Sequence, residues 1–170
     1  MSLEYIANLA EVVGVILVIA SLIYVAKQLR QNTNAIRAQS RQSVLTASQA
    51  ELFMTIEQPS ITVSIGNSDS LSEEEQVTVA SYLFAIFRAR EFAWLQHNNG
   101  LIDDTQWSTE LAVLLFFIDS QRVRDWWENV GQSAYGDEFV AFVKDLCEEH
   151  SPTNVSFKAM ASWANCDDGR

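Results

Sequence analysis

The residues with most to say about chemistry are those out of keeping with their neighbours. Glu91 falls inside an apolar stripe of Ala80, Leu83, Phe84, Phe87, Trp94 and Leu95 that recurs at helical spacing. A carboxylate on such a face must be ion-paired, hydrogen-bonded or neutral. It is either a polar lock between helices or a group that handles a proton or a ligand. Arg88 lies one turn away, and Arg122, Arg124 or a tryptophan indole can reach it from across a bundle. His97 sits at the end of the same helix, where an imidazole suits the negative end of the dipole. Trp126 and Trp127 are adjacent, so a helix turns their indoles about 100° apart, one toward a core and one toward a surface or partner. Glu91, His97, Arg122, Arg124, Trp126 and Trp127 are thus the candidate buried polar or ligand-binding set.

Cys147 and His150 stand at i, i+3, a spacing that presents two metal ligands on one helical turn. Only Cys166 or a glutamate is at hand to complete a site, and zinc sites carry denser ligand spacing, so no metal is expected. The chain also lacks a glycine-rich phosphate loop, an HExxH helix and a serine or cysteine nucleophile signature. No catalytic residue and no cofactor is assigned, and the sequence leans away from an enzyme.

Glu11 is the other displaced acid. It lies in the run LAEVVGVILVIASLIYVAKQLR, Leu9 to Arg30, which is otherwise uncharged up to Lys27. Tyr5 to Ala26, at about 1.5 Å per residue, covers about 33 Å, enough for a hydrocarbon core of about 30 Å. The polarity argues against a cleaved secretory signal, because the basic residues follow the apolar core rather than precede it. The positive flank, Lys27, Arg30, Arg37 and Arg41, places everything after residue 26 in the cytoplasm and the N-terminus outside. Glu11 then sits about 24 Å from Lys27, in the outer part of the span. There it either snorkels to the interface or faces neighbouring copies. Ala7, Ala10 and Gly14 share its side, and Ala10-x-x-x-Gly14 is a small-residue spacing that lets helices approach closely.

Charge is segregated in the same sense. Residues 1–26 carry Glu4 and Glu11 and no base, residues 27–50 carry four bases and no acid, and the whole chain is at −11. The body is therefore strongly acidic and repels phosphate backbones, which argues against nucleic acid as a partner.

These positions need helices to hold them. No proline or glycine interrupts Val15 to Gln58, so the first helix is expected to continue into the cytoplasm, with a possible kink at Asn32 to Asn34. Leu29, Thr33, Ile36, Ser40, Ser43, Ala47, Ala50 and Met54 follow a heptad seam of mostly small residues. Ile61 to Asp69 reads as a loop. Ser72 and Glu75 form a capping box that opens a helix to about His97, closed by Asn98-Asn99-Gly100. Asp103 and Asp104 start the next, with Trp107, Leu111, Leu114, Leu115 and Ile118 inward; a short helix reaches Val130, and another runs from Asp137 to Glu149. The expected organisation is 1–26 transmembrane, 27–58 juxtamembrane helix, 59–150 helical bundle and 151–170 a loose tail, with at most one turn near Trp163.

Several stretches carry a resemblance. Ala10 to Gly14, Lys27 to Thr33, Glu91 with Gln96-His97 and Gly100 to Asp103, and Trp126-Trp127-Glu128 with Glu138-Phe139 resemble a family of uncharacterised bacterial single-pass membrane proteins. Their plan is an apolar N-terminal helix, an IRQNT-like juncture and a helical cytoplasmic body. The resemblance implies a shared design for Glu11, Gly14 and the juncture, and no activity.

The expectation is an all-α, single-pass protein of a bacterial inner membrane that contacts lipid and forms a homo-oligomer through its first helix. Such an assembly is a scaffold, or a pore with Glu11 lining its outer part. A small-ligand sensor or enzyme around Glu91 and His97 is the alternative and needs a cavity there. An accessory subunit of a larger membrane complex is the third.

Overall fold

The computed structural model describes residues 3–163 of the 170, and the described residues are all-helical. Helix α1 covers Leu3–Glu57, α2 Pro59–Gly66, α3 Glu73–Asn98, α4 Asp104–Ile118, α5 Gln121–Asn129, α6 Asp137–Glu149 and α7 Val155–Ser162, with a 3-10 turn at Gly131–Ala134. The chain divides after Gln39 into two units.

In the first unit, α1 passes through Asn32, Thr33 and Asn34 without a break, so the expected kink is absent. Every Val, Leu and Ile from Leu9 to Val25 is 48–66% exposed, so this helix presents apolar side chains all round. It is long and apolar enough to cross a membrane.

The second unit, from Ser40 on, has a core of Leu83, Phe87, Leu114, Val123, Phe139 and Val143. Local chemistry sets its helix boundaries. The Ser72 hydroxyl accepts from the Glu75 amide at 3.3 Å and the Glu75 carboxylate accepts from the Ser72 amide at 2.8 Å, the expected capping box. Gly100, at φ 67°, makes the left-handed turn that closes α3. The Asp103 side chain accepts from the Gln106 amide at 2.9 Å and opens α4.

Three further expectations need correction. Residues 61–69 are not all loop, because Pro59 starts α2 at a position where its missing N–H costs nothing, and Ile61 and Ile65, four apart, are buried. The tail is not loose up to Ser162: α7 inserts Phe157 against Phe116 and Phe117. The inward face of α1 is also rotated from the heptad seam. Val44 and Glu51 are buried while Ser43 and Ala50 are exposed. Val44 brings more apolar surface to Ala93 and Ile102 than a serine can, and Glu51 meets an arginine.

Candidate functional site

The most unusual feature of the second unit is a buried charge that stands on an apolar helix face. Arg90 follows Ile86 and Phe87 by one turn on α3 and precedes Ala93, so helical periodicity directs it inward, and it is 1% exposed. Glu51 on α1 and Glu110 on α4 occupy equivalent interior positions, beside Met54 and Leu114 respectively. Arg90 donates through Nη2 to both Glu51 oxygens at 2.6 and 2.7 Å, and through Nη1 to Glu110 Oε2. The Ser48 hydroxyl donates to Glu110 at 3.2 Å. Thr55 and Tyr82 share a hydroxyl hydrogen bond of 2.6 Å beside them.

One guanidinium thus faces two carboxylates. Burial pushes the Glu51 carboxyl up to about 7, with Arg90 pulling it down and Glu110 adding to the rise. The guanidinium Nε has no hydrogen-bond partner among the described residues, nor has Thr62 Oγ1. Both residues line an open groove of about 600 Å³, whose floor includes Glu51 and Glu110 and whose walls include Leu45, Leu52, Val113 and Phe116. That volume lies within the range of small-molecule sites, roughly 300–1,000 Å³.

The structure places the sequence-derived candidates elsewhere. Glu91 is buried and pairs with Arg88, as a polar lock requires, and its Oε1 also accepts from the Gly136 amide at 2.8 Å. Arg88 continues to the Ala134 carbonyl at 2.6 Å and lies 4.6 Å above the Tyr135 ring, so this group ties α3 to the turn before α6. Burial raises the Tyr135 hydroxyl well above its ordinary value, against the pull of Arg88. The space near Glu91 holds rings: Phe87 stacks on Trp127 at 5.0 Å, and Tyr135 and Phe139 lie 5.9 Å apart.

Arg122 and Arg124 do not reach Glu91. Arg122 donates to the Ser64 carbonyl in the last turn of α2 and to the Asp69 carbonyl in the loop after it. Arg124 donates to Ile118 O at 2.6 Å, Cys147 O at 2.7 Å and His150 O, at the ends of α4 and α6. Carbonyls at a helix C-terminus lack intrahelical donors, and two arginines supply them here. His97 lies on the Trp107 ring at 5.4 Å and bonds Asp104 at 3.0 Å, joining the end of α3 to the start of α4. Cys147 and His150 offer their carbonyls to Arg124, burial raises the Cys147 thiol, and Cys166 lies outside the described residues. Among the described residues no cluster of three or more potential metal ligands forms.

Both indoles are core, Trp126 at 8% and Trp127 at 4% exposure, so the expectation that one of the pair faces a surface or partner is corrected: Phe87 packs on both rings and draws both inward. Trp126 packs on Phe84 and Phe87, lines a second cleft of about 640 Å³, and has no partner for its indole N–H among the described residues. In the first unit, Glu11, Ala7, Ala10 and Gly14 are exposed, and a methyl group added at Gly14 would meet nothing within 4 Å. Lys27, Arg30, Arg37 and Arg41 are exposed too, and Arg41 pairs with Asp103 at 2.7 Å.

Sequence reasoning missed the Arg90 cluster. A signal was available, since Glu51, Arg90 and Glu110 each interrupt an apolar helical stripe with a charge, and their signs are complementary.

The fold and this site can be set against known proteins. The chain matches no family model, no curated protein and no solved structure.

Proposed function

We propose that this chain is a membrane-anchored, self-associating helical module. The apolar half of α1 crosses a bacterial inner membrane once, with the N-terminus outside, and holds the unit from Ser40 on in the cytoplasm. The observation that carries the reading is the exposure of every large aliphatic side chain from Leu9 to Val25. Each such side chain gains roughly 1.5–3 kcal/mol when fully removed from water, so a helix apolar on all sides is stable only where something apolar surrounds it. The flank of Lys27, Arg30, Arg37 and Arg41 supports the orientation, because an excess of bases stays on the cytoplasmic side.

Self-association rests on the small face of Ala7, Ala10 and Gly14 beside Glu11, a face with room for a second helix at close range. The assembly serves as a scaffold, or as a pore if Glu11 lines a channel. Two measurements test this. Alkaline carbonate should leave the full chain in the membrane pellet, and native mass spectrometry of the solubilised protein should give a homo-oligomer. Release into the supernatant removes the anchor; a monomer removes self-association, and a hetero-complex assigns the chain to a larger assembly instead. Liposome conductance that changes in Glu11→Gln selects the pore over the scaffold.

A further inference from the structure

The groove above Arg90 goes beyond the membrane reading and does not depend on it. Its walls are aliphatic and aromatic, and Leu45 and Leu52 on one side are 51% and 62% exposed. Its floor carries one positive and two negative groups, with Glu51 and Glu110 both largely buried. Glu51 Oε1 and Oε2 each receive one hydrogen bond, from Arg90, although an ionised carboxylate oxygen accepts about two. With both carboxylates ionised the floor is short of one cation, and at neutral pH a proton on Glu51 supplies it in part.

Two further polar atoms point to an occupant. Arg90 is 1% exposed and its Nε–H, a donor, has no partner among the described residues, and neither has Thr62 Oγ1 in the same lining. A buried donor left unmet costs about 1–3 kcal/mol, so an acceptor brought beside it is favoured.

We propose that the groove binds an apolar amino alcohol, its primary ammonium against the groove side of the Glu51 and Glu110 carboxylates that Arg90 bridges, and its hydrocarbon along the walls formed by α1 and α4. The ammonium completes the charge balance of the floor, the neighbouring hydroxyl oxygen accepts a hydrogen bond from Arg90 Nε–H, and Phe116 and Phe117 supply aromatic surface. The charged groups acting on Glu51 are Arg90 of α3 and Glu110 of α4, while the Tyr82 hydroxyl is engaged by Thr55, so the arriving ammonium displaces the proton that Glu51 carries in part at neutral pH.

The test uses the full chain in lipid nanodiscs, titrated calorimetrically with phenylalaninol against empty nanodiscs. One saturable site per chain is expected, with about half a proton released at pH 7, read by repeating the titration in buffers of different ionisation enthalpy. The uncharged 3-phenylpropan-1-ol and the anionic 3-phenylpropionate should bind at least tenfold more weakly. Glu110→Gln should lose at least tenfold. Leu52→Trp, at an exposed wall position that leaves the floor intact, should block the groove to a similar degree and decides the matter if Glu110→Gln does not fold. The proposal is overturned by heat indistinguishable from empty nanodiscs, by equal affinity for amine and carboxylate, or by unchanged affinity in a folded Leu52→Trp. Failure here leaves membrane extraction untouched, and loss of the anchor leaves the groove untouched.

Discussion

Replacing Arg90 by Met keeps the length and apolar stem of the side chain and removes its charge. Arg90 is the cation within bonding distance of Glu51 and Glu110, so the change strands two buried carboxylates. A stranded carboxylate escapes most cheaply by binding a proton. Holding a carboxyl of ordinary pKa, about 4.3, neutral at pH 7 costs about 1.36 kcal/mol per pH unit, or about 3.7 kcal/mol. Glu51, lifted to about 7 in the native protein, is already about half neutral at pH 7, so completing its neutralisation costs under about 1 kcal/mol. One further charge, on Glu110, dominates the loss. The expected destabilisation is about 3–4 kcal/mol at pH 7, within the range for removing one partner of a buried ion pair. For a unit of this size that lowers Tm by roughly 10–20 °C. Near pH 5 the same neutralisation costs only about 1 kcal/mol, so the gap between wild type and variant should close by more than half. Thermal unfolding followed by circular dichroism at pH 7 and pH 5 reads both quantities. A triple change, Arg90→Met with Glu51→Met and Glu110→Met, should recover most of the loss, because an apolar cluster needs no counter-charge. A fall of under 3 °C at pH 7, or an equal fall at both pH values, would refute the reasoning.

Two pH-dependent expectations accompany it. Burial, opposed by Arg90, raises the Glu51 carboxyl from 4.5 to about 7, so folding favours its protonated form. The stability this confers is complete below about pH 4.5 and is lost as pH rises to about 7, a decline of about 3 kcal/mol. Glu51→Gln should remove that slope in urea titrations across the window; an unchanged slope rejects the assignment. Asp119 behaves in the opposite sense. Burial raises its carboxyl, but hydrogen bonds from Thr153 and Ser156 outweigh it and hold the group down at about 2 against an ordinary 3.8. Its contribution is present above about pH 3.8 and lost as pH falls toward 2, so Asp119→Asn should cost about 1–2 kcal/mol at pH 7, allowing for solvent screening, and little at pH 2. Limited proteolysis after residue 150 should accelerate in the variant at neutral pH, and protection equal to wild type counts against the clamp.

Much of the architecture was legible because it is written locally. The capping box at Ser72 and Glu75, the Asp103 cap and the glycine turn at Gly100 each depend on residues within one turn of one another. Helix α2 was missed because Ser, Gly and Asn are ambiguous locally, and only burial of Ile61 and Ile65 against the core settles their conformation. Helix α7 was missed for a similar reason, since Phe157 finds Phe116 and Phe117 some 40 residues away in sequence.

What the sequence determined by itself is an all-helical chain with one helix apolar enough to cross a membrane, and where most helices begin and end. Periodicity and capping act over three or four residues, and composition acts over one segment, so neither needs the rest of the fold. Only the tertiary structure decided which charges meet. It sends Arg122 and Arg124 to the carbonyl ends of other helices rather than to Glu91, and it brings Arg90 to Glu51 and Glu110, 39 and 20 residues away. Such meetings depend on how helices rotate and cross, and a rotation of one residue on α1, from Ala50 to Glu51, is enough to exchange a small apolar seam for a buried carboxylate.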